Sequence, residues 1–169
     1  MATWSGIRKK LEEEYLAQSL RGRVQYFCTT YRKSHDHEGR AAILVDGREV
    51  LQGNYYNSYL KSYLLPKEEK YSPRKLFLDV DAVTVGLGMF EQHTFYNAFR
   101  EFDNQSIEDS LQSGNFLIRI FAVLDRRVGK RRLAAMVEQM MQENSILRDF
   151  FCLRLEAEGM EPRKDFTEK

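Results

Sequence analysis

The sequence predicts an α+β fold: an N-terminal helix, a three- or four-stranded antiparallel meander, and a C-terminal bundle of about four helices. Three observations carry that reading. Period-two alternation of apolar residues is confined to the first half of the chain. An Asp46-Gly47 pair stands between two apolar stretches, the strongest short-range hairpin signal, because both central residues of the turn need positive φ. From about residue 86 onward, apolar residues recur at helical spacing.

Taken in order, Trp4, Ile7, Leu11 and Tyr15 form one stripe of an amphipathic helix over residues 4–18, with charged residues on the other faces. Val24, Tyr26, Cys28 and Thr30 alternate along a strand, 24–31. Ser34 to Gly39 reads as a polar turn, and Ala41–Val45 and Arg48–Leu51 complete the meander over 22–52. Asn54 is placed to cap a helix over 55–64, which Pro66 ends. Leu76, Leu78 and Val80 alternate with Phe77, Asp79 and Asp81, which suggests a fourth strand. Gly86 and Gly88 break that pattern before a helix over Met89–Phe102. Ser106 and Asp109 resemble a capping box, with Gly114 closing the short helix. Residues 115–127 form a strongly apolar central helix, and Gly129 separates it from a helix striped by Leu133, Met136, Val137, Met140 and Met141. Ser145 opens a last helix that Gly159 ends.

Residues 1–159 therefore read as one domain, its sheet part about 1–85 and its helical part about 86–159, with 160–169 a loose tail. The 169 residues are 43% hydrophobic and 30% charged, enough for a core without disulfides. Cys28 and Cys152 read as buried thiols of a cytoplasmic protein. The 26 basic and 25 acidic side chains nearly cancel, so no overall field commits the chain to nucleic acid or a membrane. The longest apolar runs, Ala41–Val45 and Ile120–Leu124, are far shorter than a membrane span, and the first residues carry no secretory h-region. A net charge of +1 gives little colloidal repulsion, so self-association is compatible with the composition.

The stretches YRKSHDHEGRAAILVDGREVL (31–51), SIEDSLQSGNFLIRIFAVLDRRVGKRRL (106–133) and FCLRLEAEG (151–159) resemble signature segments of an uncharacterised family of small bacterial proteins. The Leu-Asp-Arg-Arg-Val-Gly-Lys-Arg run is the most specific of them. The resemblance implies a bacterial, cytosolic, single-domain protein and no activity.

Four clusters could carry chemistry. His35, Asp36 and His37 lie in a turn between strands, and imidazoles with carboxylates suit zinc, iron or manganese. A further ligand would have to come from Asp46, Glu49 or His93; a solvated turn explains the same residues. Phe77-Leu78-Asp79-Val80-Asp81 resembles the first motif of haloacid-dehalogenase-type phosphatases, in which Asp79 would be nucleophile and Asp81 acid. The helical remainder offers no strands for the doubly wound sheet that chemistry uses. Arg126, Arg127, Lys130, Arg131 and Arg132 place five cations in seven residues at a helix–Gly–helix junction. They form either an anion footprint or cations in a last helical turn, paired internally with Glu108, Asp109, Asp125 or Glu138. Tyr55, Tyr56, Tyr59, Tyr63 and Tyr71 are five of nine tyrosines, suited to packing across a sheet or to an interface.

No Gly-rich phosphate loop and no Cys-x-x-Cys pair is present, and no cofactor is expected. The sequence thus favours a non-enzymatic interaction protein. Its expected partner is a protein, less readily a nucleic acid, met by the basic junction and by Tyr55, Tyr56 and Tyr59. The alternative is a metal-dependent hydrolase or nuclease using His35, Asp36 and His37.

Overall fold

The computed structural model describes residues 3–33, 39–61 and 80–161. The His35-Asp36-His37 turn, Asp79, Tyr63, Tyr71, most of the suggested fourth strand and the final residues lie outside that set, as does the Tyr59 side chain.

Helix α1 (Trp4–Lys9) is capped by the Thr3 hydroxyl and runs on into a π-helical turn, Lys10–Tyr15. There Leu16 N donates five residues back to Leu11 O at 2.9 Å. The helix therefore stops three residues before the expected end. Leu16 turns extended and forms an antiparallel bridge with Asp125, a partner far along the chain that no local pattern announces.

Strands β1 (Val24–Thr30), β2 (Gly39–Val45) and β3 (Arg48–Asn54) form an antiparallel sheet in the order β1-β2-β3. Asp46 and Gly47 take φ of 49° and 79°, the left-handed pair that a two-residue hairpin requires, and Val45 pairs with Arg48 across them. The register slips between Ile43 and Leu44, so that Val50 is an extra residue in β3. Each edge strand takes a bond from outside the sheet. The Glu12 carboxylate accepts from Tyr26 N at 2.8 Å on β1, and Asn54 N donates to Gly88 O at 3.3 Å on β3.

The helices that follow are α2 (Tyr55–Lys61), α3 (Ala82–Gly86), α4 (Gln92–Asp103), α5 (Ile107–Leu111), α6 (Phe116–Leu124), α7 (Lys130–Met141) and α8 (Ser145–Ala157). Several expected boundaries shift because side chains cap elsewhere. Asp81 caps α3 through a reciprocal box with Thr84, which gives that carboxylate a structural task. Met89 and Phe90 are non-helical, and Glu91 caps α4. Helix α5 ends at Gln112 before Gly114 is reached, and Asn144 rather than Ser145 caps α8. Gly159, at φ 69°, ends α8 as expected, with its N–H on Glu156 O and Met160 N on Leu155 O.

Helix α6 is central: eight of its residues, Phe116 to Ile118 and Ile120 to Leu124, are buried, and it touches α3, α4, α5 and α8. The inner sheet face meets it through a chain of rings. Tyr26 lies edge-on to Phe121, Phe121 to Phe95, and Phe102 links Phe121 to Tyr15. One apolar cluster thus joins sheet and helices. Gly53 admits Phe90 to it, since a methyl group at 53 would collide with the Phe90 carbonyl and lie 2.7 Å from its ring.

Gly53→Ala should therefore cost about 2 kcal/mol or more, the scale of core overpacking. Gly114→Ala, where added bulk meets nothing within 4 Å, should stay within about 0.5 kcal/mol. Urea unfolding of both variants checks the pair, and equal losses would contradict the packing.

Candidate functional site

The basic run lies on the connection between α6 and α7. The helix was expected to reach residue 127, but it ends at Leu124 because Asp125 turns extended to bridge Leu16. Ala17 N donates to Leu124 O at 2.9 Å and Arg126 N to Tyr15 O at 2.7 Å. Arg126 and Arg127 therefore follow the helix rather than occupying its last turn.

Arg127 turns back onto the protein. The fully buried Asp125 carboxylate accepts from its backbone N at 2.7 Å and from its guanidinium at 2.8–3.1 Å. The same guanidinium lies 4.9 Å over the Tyr15 ring and 5.3 Å over Phe102. The Tyr15 hydroxyl donates to Asp103, which also accepts from Lys10 at 2.9 Å. Burial, then the bond to Asp103, push the Tyr15 phenol up to about 12. Burial opposes ionisation of Asp103, yet Tyr15 and Lys10 hold its carboxyl below the usual range. Arg132 reaches Glu108 at 2.6 Å on the surface.

Beneath the connection lies Arg154 of α8, 2% exposed. Its guanidinium donates to Asp125 O and Val128 O, each at 2.7 Å, and to Val123 O at 3.4 Å. Its Nε donates to Glu158 at 2.9 Å, and the Ser19 hydroxyl donates to the same carboxylate at 2.7 Å. Burial opposes ionisation of Glu158, but Ser19 and Arg154 hold it below the usual carboxylate range.

The remaining cations, Arg126, Lys130 and Arg131, are exposed and hold no hydrogen bond or ion pair through their side chains among the described residues. Arg126 and Lys130 rim a cleft of about 490 Å³ that also meets Gln18, Ser19 and the Arg154–Glu158 pair. Gly129 begins α7 with no side chain capping the helix.

The tyrosine-rich helix lies at the other end of the sheet. Asn54 Oδ1 accepts from Asn57 N at 2.7 Å to start α2. Tyr55 is half-buried, while Tyr56 is 60% exposed and Leu60 is exposed one turn on. The seven-residue strand β1 separates this end from the basic cleft by roughly 20 Å. The structure does not bring the two groups into one site.

For the metal reading, the nominated partners part company. Asp46 is gripped by Arg23 through two 3.0 Å bonds at the opposite end of β2 from Gly39. Glu49 pairs with Arg40. His93 stands nearer the Gly39 end of β2, because neighbouring Gln92 accepts from Thr30 and packs against Gly39. Among the described residues no group of three or more His, Cys, Asp or Glu could hold a metal ion. Burial pushes the Cys28 thiol up to about 12 and raises that of Cys152, so neither is activated as a nucleophile.

Sequence reasoning did not single out Arg154. Its signal was an arginine between Leu153 and Leu155 with Glu158 four residues on, a charge on an otherwise apolar face. No described helix is long and apolar enough to cross a membrane.

A three-stranded antiparallel sheet backed by helices, with a cationic cleft on the connection behind its central helix, defines a small α+β domain. The chain belongs to the SF0329 protein family, whose model matches residues 3–155. That is the kind of family the quoted segments predicted, an uncharacterised one covering most of the chain. None of the curated proteins and none of the solved structures matches the chain.

Two measurements test this geometry. Arg154→Met leaves the Val123 and Val128 carbonyls without its donors and removes the cation from Glu158, and should cost about 3 kcal/mol or more, whereas Arg126→Met should change stability by less than about 0.5 kcal/mol. Second, an unfolded tyrosine ionises near pH 10 and Tyr15 about 12. Its contribution is present below pH 10 and disappears as pH rises through about 12. Tyr15→Phe should lose less stability than the wild type across that window, and an unchanged loss would contradict the Tyr15–Asp103 bond.

Proposed function

We propose that the protein is a non-enzymatic, cytosolic interaction module that docks an acidic segment of a partner protein on the cationic cleft between α6 and α7. One observation carries this reading. Arg126, Lys130 and Arg131 face solvent while the nearby carboxylates are already engaged: Asp125 with Arg127, Glu108 with Arg132, Glu158 with Arg154 and Ser19. None of those three carboxylates is left free for Arg126, Lys130 or Arg131. A segment carrying two or three carboxylates would neutralise them, and the cleft volume of about 490 Å³ suits a few side chains.

The same features weigh against duplex DNA or RNA as the partner. Nucleic-acid binding draws on several phosphate contacts across one face, whereas two of the five cations are committed internally. Tyr56 and Leu60 lie too far along the sheet to serve the same short segment.

Fluorescence anisotropy with a labelled hexaglutamate peptide, a single-stranded oligonucleotide and a duplex tests the proposal at about 50 and 200 mM salt. The expected result is peptide binding that weakens with salt and falls at least about ten-fold in Arg126→Glu/Arg131→Glu. Tighter binding of either nucleic acid, or peptide binding indifferent to the double variant, would overturn it.

A further inference from the structure

A second, apolar surface lies between the tip of the β2–β3 hairpin and α8. Val45 and Val50 form one wall, Ile146 and Leu153 the other, and buried Phe150 the base of a groove of about 270 Å³. The groove owes its shape to the slipped register of β3. Val50 is the extra residue at the bulge, and it is 53% exposed. The sole charged lining residue is Asp149, exposed and without a hydrogen bond or ion pair among the described residues. It projects from α8 between Ile146 and Leu153.

We infer that this groove binds a short helical segment of a partner protein that presents two aliphatic or aromatic anchors one turn apart and a lysine or arginine to Asp149. The dimensions set the length. Ile146 and Leu153 are seven residues apart on α8, about 10 Å of helix, which two to three turns of a partner helix cover. The chemistry sets the composition, because an apolar anchor over Phe150 excludes water beside a lone carboxylate, which an arriving cation neutralises. A second copy of this chain is the poorer occupant. A two-fold contact through the groove would bring the two Asp149 carboxylates toward each other. Five apolar side chains also fall well short of the roughly 20–30 residues a side of a standard protein interface. This surface takes a basic, apolar ligand, the opposite of the acidic segment proposed for the cationic cleft, so the two stand or fall separately.

A phage-displayed library of helical 14-residue peptides, panned on the full-length protein, tests the inference. The expected enrichment is of sequences with two apolar anchors at i and i+3 or i+4 and a Lys or Arg beside them. Their synthetic peptides should bind the wild type, and weaken at least about ten-fold against Val50→Asp. Against Asp149→Lys they should weaken similarly, with affinity recovered when the peptide's cation is changed to Glu. Both substitutions fall on exposed positions, and a wild-type thermal midpoint confirms that they fold. No enrichment, or binding unaffected by either variant, would overturn the inference. So would a concentration-dependent dimer in sedimentation that Val50→Asp abolishes, since the occupant would then be a second copy.

Discussion

The buried guanidinium of Arg154 is the constraint on which the connection between α6 and α7, and the packing of α8 against it, depends. Taking such an ion out of water costs several kcal/mol, so it persists only where nearly every donor is used. Here Glu158 supplies the countercharge, and the carbonyls of Val123, Asp125 and Val128 take three of the four other donors. Those carbonyls belong to the end of α6 and to the turn after it, which have no helical partner of their own. Arg154 thereby satisfies a helix terminus from another helix and fixes the path of residues 125–129. The Leu16–Asp125 bridge then ties the N-terminal helix to the same turn.

From that frame the sorting of the basic run follows. Asp125 is held with its carboxylate inward, and it draws Arg127 back over Tyr15 and Phe102. Helix α7 then starts at a fixed place and angle, with Arg132 within reach of Glu108 and Arg126, Lys130 and Arg131 pointing outward. A run that is uniform in sequence divides into cations paired within the protein and cations facing solvent. The proposed function rests on this division, not on the density of positive charge, which the whole chain balances to +1.

Much of the fold was legible because its signals are local. Asp46-Gly47 determines a two-residue turn by its own φ angles, and alternation over 24–30 follows from one buried face of β1. Gly159 ends α8 through its own left-handed backbone. Long-range pairings were not legible. The early ends of the first helix and of α6 both come from the Leu16–Asp125 bridge, whose partners are distant in sequence. The requirement for Gly53 comes from Phe90, and the outward turn of Val50 from a slipped register. In the basic run the sequence could not say which cations were occupied, because Glu108 reaches Arg132 only once α5 and α7 have packed, and the Asp125 carboxylate turns toward Arg127 only where residue 125 bridges Leu16. The sequence also placed Tyr55 and Tyr56 alongside the basic run as binding candidates, and a strand's length of sheet separates them.

Mapping the amide resonances of the full-length protein during titration with the hexaglutamate peptide tests the central claim most directly. The account predicts saturable shifts confined to Gln18–Ser19 and Arg126–Arg132, with Arg127 and Arg154 side-chain signals holding their bonded positions. Shifts centred on Tyr55–Asn57, or spread evenly over all exposed lysines and arginines, would contradict it.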